Sequence, residues 1–104
     1  DDVVSFTHSD FGRTLTSNGD GTDHGWGGHQ IVTGGPVNGR QIYGQMPVLE
    51  IGGDDDATGG RIIPTTSVDQ YAGTLAEWFG VDTSALDTIA PSLSNFTTSN
   101  LGFV

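Results

Sequence analysis

The uneven distribution of glycine constrains the fold of this chain more than any other feature of its sequence. Fourteen of the 17 glycines lie between Gly12 and Gly60, so turns interrupt the first half at short intervals. We therefore expect this half to contain short strands and loops. The pattern predicts strands at Val3–Thr7 (buried), Gln30–Thr33 and Arg40–Tyr43, an extended segment at Pro47–Ile51, and a long loop over His8–His29.

The second half carries one clear helix signal, over Val68–Phe79. Ser67 is a typical N-cap, and Gln70 three residues later completes a capping box. Gly80 suits the position just beyond the last turn. The apolar residues recur at helical spacing, which predicts one apolar stripe packed on a sheet: Val68, Tyr71, Ala72, Leu75, Trp78 and Phe79.

A second, shorter helix is predicted directly afterwards. Asp82 or Thr83 can cap it, it runs through Ile89, and Pro91 stops it. Strands in the first half and helices in the second indicate an α/β chain. At 104 residues, the chain has room for one domain at most.

The charge balance excludes several classes of partner. The chain has 13 acidic residues, three arginines and no lysine, for a net charge of −10. Nucleic acids and anionic membranes need basic patches, so neither is expected as a partner. The chain has no cysteine and hence no disulfide, and no apolar run approaches the ~18 residues of a membrane span.

Metal-ligand residue types are concentrated in the glycine-rich segment that follows the first predicted strand. Asp10, Asp23 and His24 offer two carboxylates and an imidazole, donors that suit Zn, Mn or Fe. Flanking glycines would let a loop turn Asp23 and His24 towards one ion. The alternative is a structural one, in which the aspartate forms an Asx-turn and the histidine bonds to the backbone.

Other charged residues allow two interpretations each, one functional and one structural. Arg13 could hold a substrate oxyanion, or it could form an ion pair with Asp10 or Asp23. His8 and His29 could extend a metal site, but a structural role is expected for both. The run Asp54–Asp56 could bind Ca²⁺, but it lacks the spaced D-x-D-x-D-G pattern of calcium-binding loops. We therefore expect a solvated turn.

Several spaced motifs carry a family resemblance. They are Ser9–Thr14 (SDFGRT), Gly21–Gly25 (GTDHG), Ile63–Ala72 (IPTTSVDQYA), Trp78–Val81 (WFGV) and Asn95–Phe96. Together they resemble the exported bacterial proteins of domain-of-unknown-function family 1501, over nearly the whole chain. That family in turn resembles the C-terminal half of alkaline-phosphatase-like and sulfatase-like metallohydrolases. The resemblance implies a three-layer α/β sandwich with a two-metal site.

The resemblance also implies roles for individual residues. Asp10, Asp23 and His24 would bind a divalent metal such as Zn, and Arg13 would bind the oxyanion of a phosphate or sulfate ester. Phe11 departs from the pattern, because the related hydrolases place a histidine there and phenylalanine cannot bind metal. Residues 1–104 would be an incomplete C-terminal segment, with the nucleophile upstream and the isolated chain inactive.

Two functions are therefore predicted. The first is the C-terminal part of an exported metal-dependent hydrolase acting on phosphate or sulfate esters, with the N-terminal part of its parent or other protein chains as partner. The alternative is a non-catalytic extracellular structural or binding protein that keeps the fold. Phe11 and the acidic composition favour the alternative.

Overall fold

In a computed structural model, which describes residues 2–104, the chain is mixed α/β with short strands and two α-helices. Strand β1 pairs with β4 and β2 pairs with β3, which gives two two-stranded sheets. The elements are β1 (Val4–Phe6), β2 (Gly12–Ser17), β3 (Thr22–Gly25), β4 (Val32–Gly34), α1 (Val68–Phe79) and α2 (Leu86–Ile89), with 3₁₀ turns at Thr83–Ala85 and Leu93–Asn95.

The described residues form two compact units. The hairpin unit consists of residues 5–32 and 45–65. The helical unit consists of residues 2–4, 33–44 and 66–104. In the residues that the structure describes, no helix combines the length and apolarity needed to cross a membrane.

Strands β2 and β3 form an antiparallel hairpin with Gly12 opposite Gly25. The prediction of a continuous loop over His8–His29 is therefore wrong for these two strands. The physical reason is that β2 carries two alternate β-branched residues, Thr14 and Thr16, which suit a pleated surface. Glycine does not prevent this pairing, because Gly12 and Gly25 lie opposite each other in the strands, while Gly19 in the turn has a φ of 103°.

The second segment of the hairpin unit lies alongside this hairpin. The Leu15 amide donates to the Gly60 carbonyl at 2.9 Å, and the Gly27 amide donates to the Ile62 carbonyl at 3.0 Å. The Thr16 hydroxyl adds a bond of 2.6 Å to the Gly59 carbonyl. Residues 59–62 thus hold β2 and the residues that directly follow β3.

Two of the predicted strands need correction. Val4–Phe6 is a strand, but Phe6 is exposed, so the predicted burial is wrong. Arg40–Tyr43 is not a strand, because Arg40 adopts a left-handed φ of 62° that breaks an extended chain. The segment Pro47–Ile51 is irregular.

Helix α1 has the predicted bounds and the predicted capping box. The Ser67 hydroxyl accepts from the Gln70 amide, and the Gln70 side chain accepts from the Ser67 amide, both at 3.0 Å. Gly80 ends the helix in a left-handed conformation with a φ of 108°. The short helix that follows is confirmed as a 3₁₀ turn capped by Asp82, continued by α2.

The buried face of α1 differs from the predicted apolar stripe. Gln70, Gly73 and Thr74 are buried, whereas Val68 is 58% exposed and Phe79 is 83% exposed. The reason is the C-terminal tail, which supplies hydrogen bonds that only a polar face can match. Periodicity alone predicts burial of the apolar stripe, because it carries no information about this competing tail.

Three hydrogen bonds hold the tail on α1. Nε2 of the Gln70 side chain donates to the Thr98 carbonyl at 2.6 Å, and the Leu101 backbone amide donates to the Thr74 hydroxyl at 2.9 Å. Asn100 donates to the Glu77 carboxylate at 2.7 Å. The apolar core beside this face is small and consists of Leu86, Ala90 and Leu93, with Ala76 and Val81 packed against it.

Candidate functional site

Arg13 and His24 are directly opposite each other on the two strands of the hairpin. Directly opposed residues of an antiparallel pair project to the same face, with their Cβ atoms about 4.5–5.5 Å apart. Both side chains are exposed. A guanidinium and an imidazole are therefore neighbours on one face of a chain whose net charge is −10.

Phe11, which precedes β2, contacts both of these side chains. Its ring stacks on the His24 imidazole with a centroid distance of 4.0 Å and an interplanar angle of 18°. The guanidinium carbon of Arg13 lies 5.1 Å from the centre of the same ring. The residue that departs from the metallohydrolase pattern therefore orients the imidazole and supports the cation.

Arg13 is anchored by the backbone rather than by a carboxylate. Its Nη1 donates to the Thr22 carbonyl at 2.8 Å. Among the described residues, neither Asp10 nor Asp23 forms an ion pair with it. The charge of Arg13 and most of its five donors are thus directed at solvent, where an anion can reach them.

Asp23 belongs to a different set of contacts. Its carboxylate accepts from the Asn18 amide at 2.8 Å and lies 3.7 Å from the guanidinium of Arg61. These contacts connect the hairpin turn to the second segment of the unit. These contacts differ from the Asx-turn of the structural alternative, and a role of Asp23 as a metal ligand stays a prediction.

The structure does not bring Asp10, Asp23 and His24 together on one ion. Successive residues of a strand point to opposite faces, and Asp23 and His24 are successive in β3. Within residues 2–104, no three histidine or acidic side chains are grouped closely enough to hold a metal. These donors, as arranged, do not fit a shared Zn ion, and ligation by the three residues stays a prediction.

Asp55 and Asp56 of the acidic loop, residues 52–60, bind backbone amides in that loop and just before it. Asp56 accepts from the amides of Gly52 (2.8 Å) and Gly60 (2.9 Å), and Asp55 accepts from the Val48 amide at 2.7 Å. The backbone hydrogen bonds that Asp56 itself accepts, that from Gly52 first, hold the pKa of its carboxyl below the ordinary value of 3.8. This segment is a turn organised by Asp55 and Asp56, which agrees with the turn that the sequence predicted for Asp54–Asp56.

Some contacts have no clear sequence signal. Nε2 of His29 lies 3.4 Å from Sδ of Met46, although 17 residues separate them in sequence. The contact of Arg61 with Asp23 has no local motif either, because the two residues are distant in sequence. Trp26 is 63% exposed.

A family model described as "Protein of unknown function (DUF1501)" matches residues 1–86. Neither the curated proteins nor the solved structures gave a match.

Proposed function

We propose, from the premise that this chain belongs to the DUF1501 family, that it binds the anionic group of phosphate or sulfate esters within a hydrolase-like protein. The observation that carries the proposal is the pair Arg13 and His24, opposed on one exposed hairpin face. We call Phe11, Arg13 and His24 the cationic face. Export, and the three-layer sandwich of alkaline-phosphatase-like hydrolases, remain part of this proposal on the family resemblance.

The chemistry of the cationic face suits a tetrahedral oxyanion. Guanidinium donors are arranged in a planar fork that matches two oxygens of phosphate or sulfate. The imidazole of His24 supplies a further N–H from the opposite strand. Phe11 limits the motion of both groups, so less conformational entropy is lost when an anion binds.

Hydrolysis would need groups beyond those on this face. A divalent metal, when bound by such enzymes, polarises the ester oxygen and stabilises developing charge. Of the three predicted ligands, Asp23 contacts Asn18 and Arg61, which leaves Asp10 and His24 of that set to contribute to such a site. The cationic face would bind and orient the ester, with the nucleophile supplied from outside this chain.

The test is the binding of inorganic sulfate and phosphate by this chain and by two arginine variants. Arg13→Ala removes charge-assisted hydrogen bonds of about 1.5–3 kcal/mol, which corresponds to roughly 10-fold to 100-fold weaker binding. Arg61→Ala is the matched control, since it removes one arginine from the same unit but away from the cationic face. Equal losses in the two variants would show a general charge effect and reject the proposal.

The separation of Asp23 from His24 favours a second candidate, a non-catalytic protein that binds anionic ligands. The two candidates share the cationic face and differ in turnover. An ester hydrolase should release phosphate or sulfate from aryl esters when full-length protein is supplied with Zn²⁺, and Arg13→Ala should lower the rate. Binding that depends on Arg13 without any turnover would select the non-catalytic candidate.

A further inference from the structure

We infer that His29 and Met46 form a binding site for a soft monovalent metal ion, Cu⁺ or its analogue Ag⁺. The imidazole Nε2 and the thioether Sδ lie 3.4 Å apart in the hairpin unit. Thioether sulfur is a soft ligand that selects Cu⁺, and imidazole also suits copper. The site is separate from the cationic face and does not depend on the proposed function.

The composition of the chain makes this pair distinctive. Met46 is the sole methionine and there is no cysteine, so the chain has one soft sulfur ligand. That sulfur contacts one of only three histidines. Within residues 2–104 no cluster of three histidine or acidic ligands competes for a divalent ion. Hard cations such as Ca²⁺ and Mg²⁺ gain little from a thioether and an imidazole.

Both donors are carried by segments that are fixed to the same stretch of chain. The loop that leads to His29 is held by the bond from the Gly27 amide to the Ile62 carbonyl at 3.0 Å. The residue before Met46 is held by a hydrogen bond from the Thr65 hydroxyl to the Gln45 carbonyl. Residues 62–65 therefore set the distance between the two ligand-bearing segments.

The pair is accessible and adjustable. Met46 is 49% exposed and His29 is also exposed, so an ion can reach both donors. The methionine side chain has three rotatable bonds, which let the sulfur move outward to the spacing that a bridging ion needs. Water can complete the coordination on the open side.

The experiment titrates the chain with Ag⁺ in chloride-free buffer and follows the ¹³C resonance of the Met46 ε-methyl group. We expect this resonance to shift with saturation at one equivalent. Zn²⁺ at the same concentration should neither shift the resonance nor displace Ag⁺. An unmoved methyl resonance, or displacement by Zn²⁺, would overturn the inference.

Calorimetry of variants gives an independent test. Met46→Leu preserves the side-chain volume and His29→Gln preserves a polar group, and circular dichroism checks that each remains folded. Each should weaken Ag⁺ binding by at least about 10-fold, because loss of a direct ligand should cost no less than loss of a residue that only orients a ligand. His8→Gln is the control, since His8 is an exposed histidine of the same unit without a sulfur partner, and it should leave the affinity unchanged.

An Ag⁺ affinity that is unchanged in Met46→Leu, or that falls equally in His8→Gln, would overturn the proposed site. Anaerobic titration with Cu⁺ should reproduce the order of the four proteins.

Discussion

Replacement of Thr74 by valine tests how the C-terminal tail is attached to α1. Thr74 is 1% exposed, and its hydroxyl accepts from the Leu101 amide at 2.9 Å while donating to the Gln70 carbonyl at 2.7 Å. Valine keeps the shape but leaves the Leu101 amide without an acceptor. An unsatisfied buried donor costs about 1–3 kcal/mol. The Gln70 carbonyl loses less, because it also accepts the helix's own hydrogen bond.

We therefore expect Thr74→Val to lower the free energy of unfolding by about 2 kcal/mol. For a domain of this size, that corresponds to a decrease in Tm of roughly 8–16 °C. Thr74→Ser is the matched control, because it keeps the hydroxyl and removes one buried methyl group at about 1 kcal/mol. The measurements are urea denaturation and hydrogen exchange of the Leu101 amide. A valine variant as stable as the wild type, or a serine variant that is the less stable of the two, would refute the reasoning.

Three further predictions concern the helix cap, the hairpin and the acidic loop. Ser67→Ala should lower the free energy of unfolding by about 1 kcal/mol in thermal denaturation, through loss of the N-cap bond, and an unchanged Tm would show that the cap contributes nothing. Gly12→Ala should unfold the hairpin unit, since its Cβ would lie 1.7 Å from the Gly27 carbonyl oxygen; native-like amide spectra of β2 would disprove this. Because the folded-state pKa of Asp56 lies below its ordinary value of 3.8, its stabilising effect is fully present above that value and is lost as the pH falls through the folded pKa. Asp56→Asn should therefore flatten the acid limb of a stability–pH profile, and an unaltered limb would contradict that assignment.

The sequence predicted α1 to the residue, because its signals are local. A capping box, a terminal glycine and helical periodicity all act within one stretch of chain, and none depends on distant contacts. The short helix after Asp82 was predictable for the same reason. The face that α1 buries was not, since the acceptor for the Leu101 amide is 27 residues away in sequence.

The hairpin shows the opposite limitation. Its glycines suggested a loop, but the antiparallel pairing of β2 with β3 depends on register, which composition does not reveal. Asp23 and His24 therefore stand out in the sequence as adjacent ligands, whereas in the structure Asp23 lies beside Arg61 of the second segment and His24 stacks on Phe11. Arg13 is one of only three basic residues besides histidine, so the sequence draws attention to it. That His24 lies opposite it follows only from the strand pairing.

The most direct measurement of the central claim is a sulfate titration of isotopically labelled chain, followed by NMR. We predict saturable shifts confined to the Arg13 guanidinium, the His24 ring and the Phe11 ring, because these groups form the cationic face. The resonances of Arg61 and of the Asp23 amide should remain unchanged. Shifts at Arg61 that equal those at Arg13, or no saturable shift at the cationic face, would contradict the account.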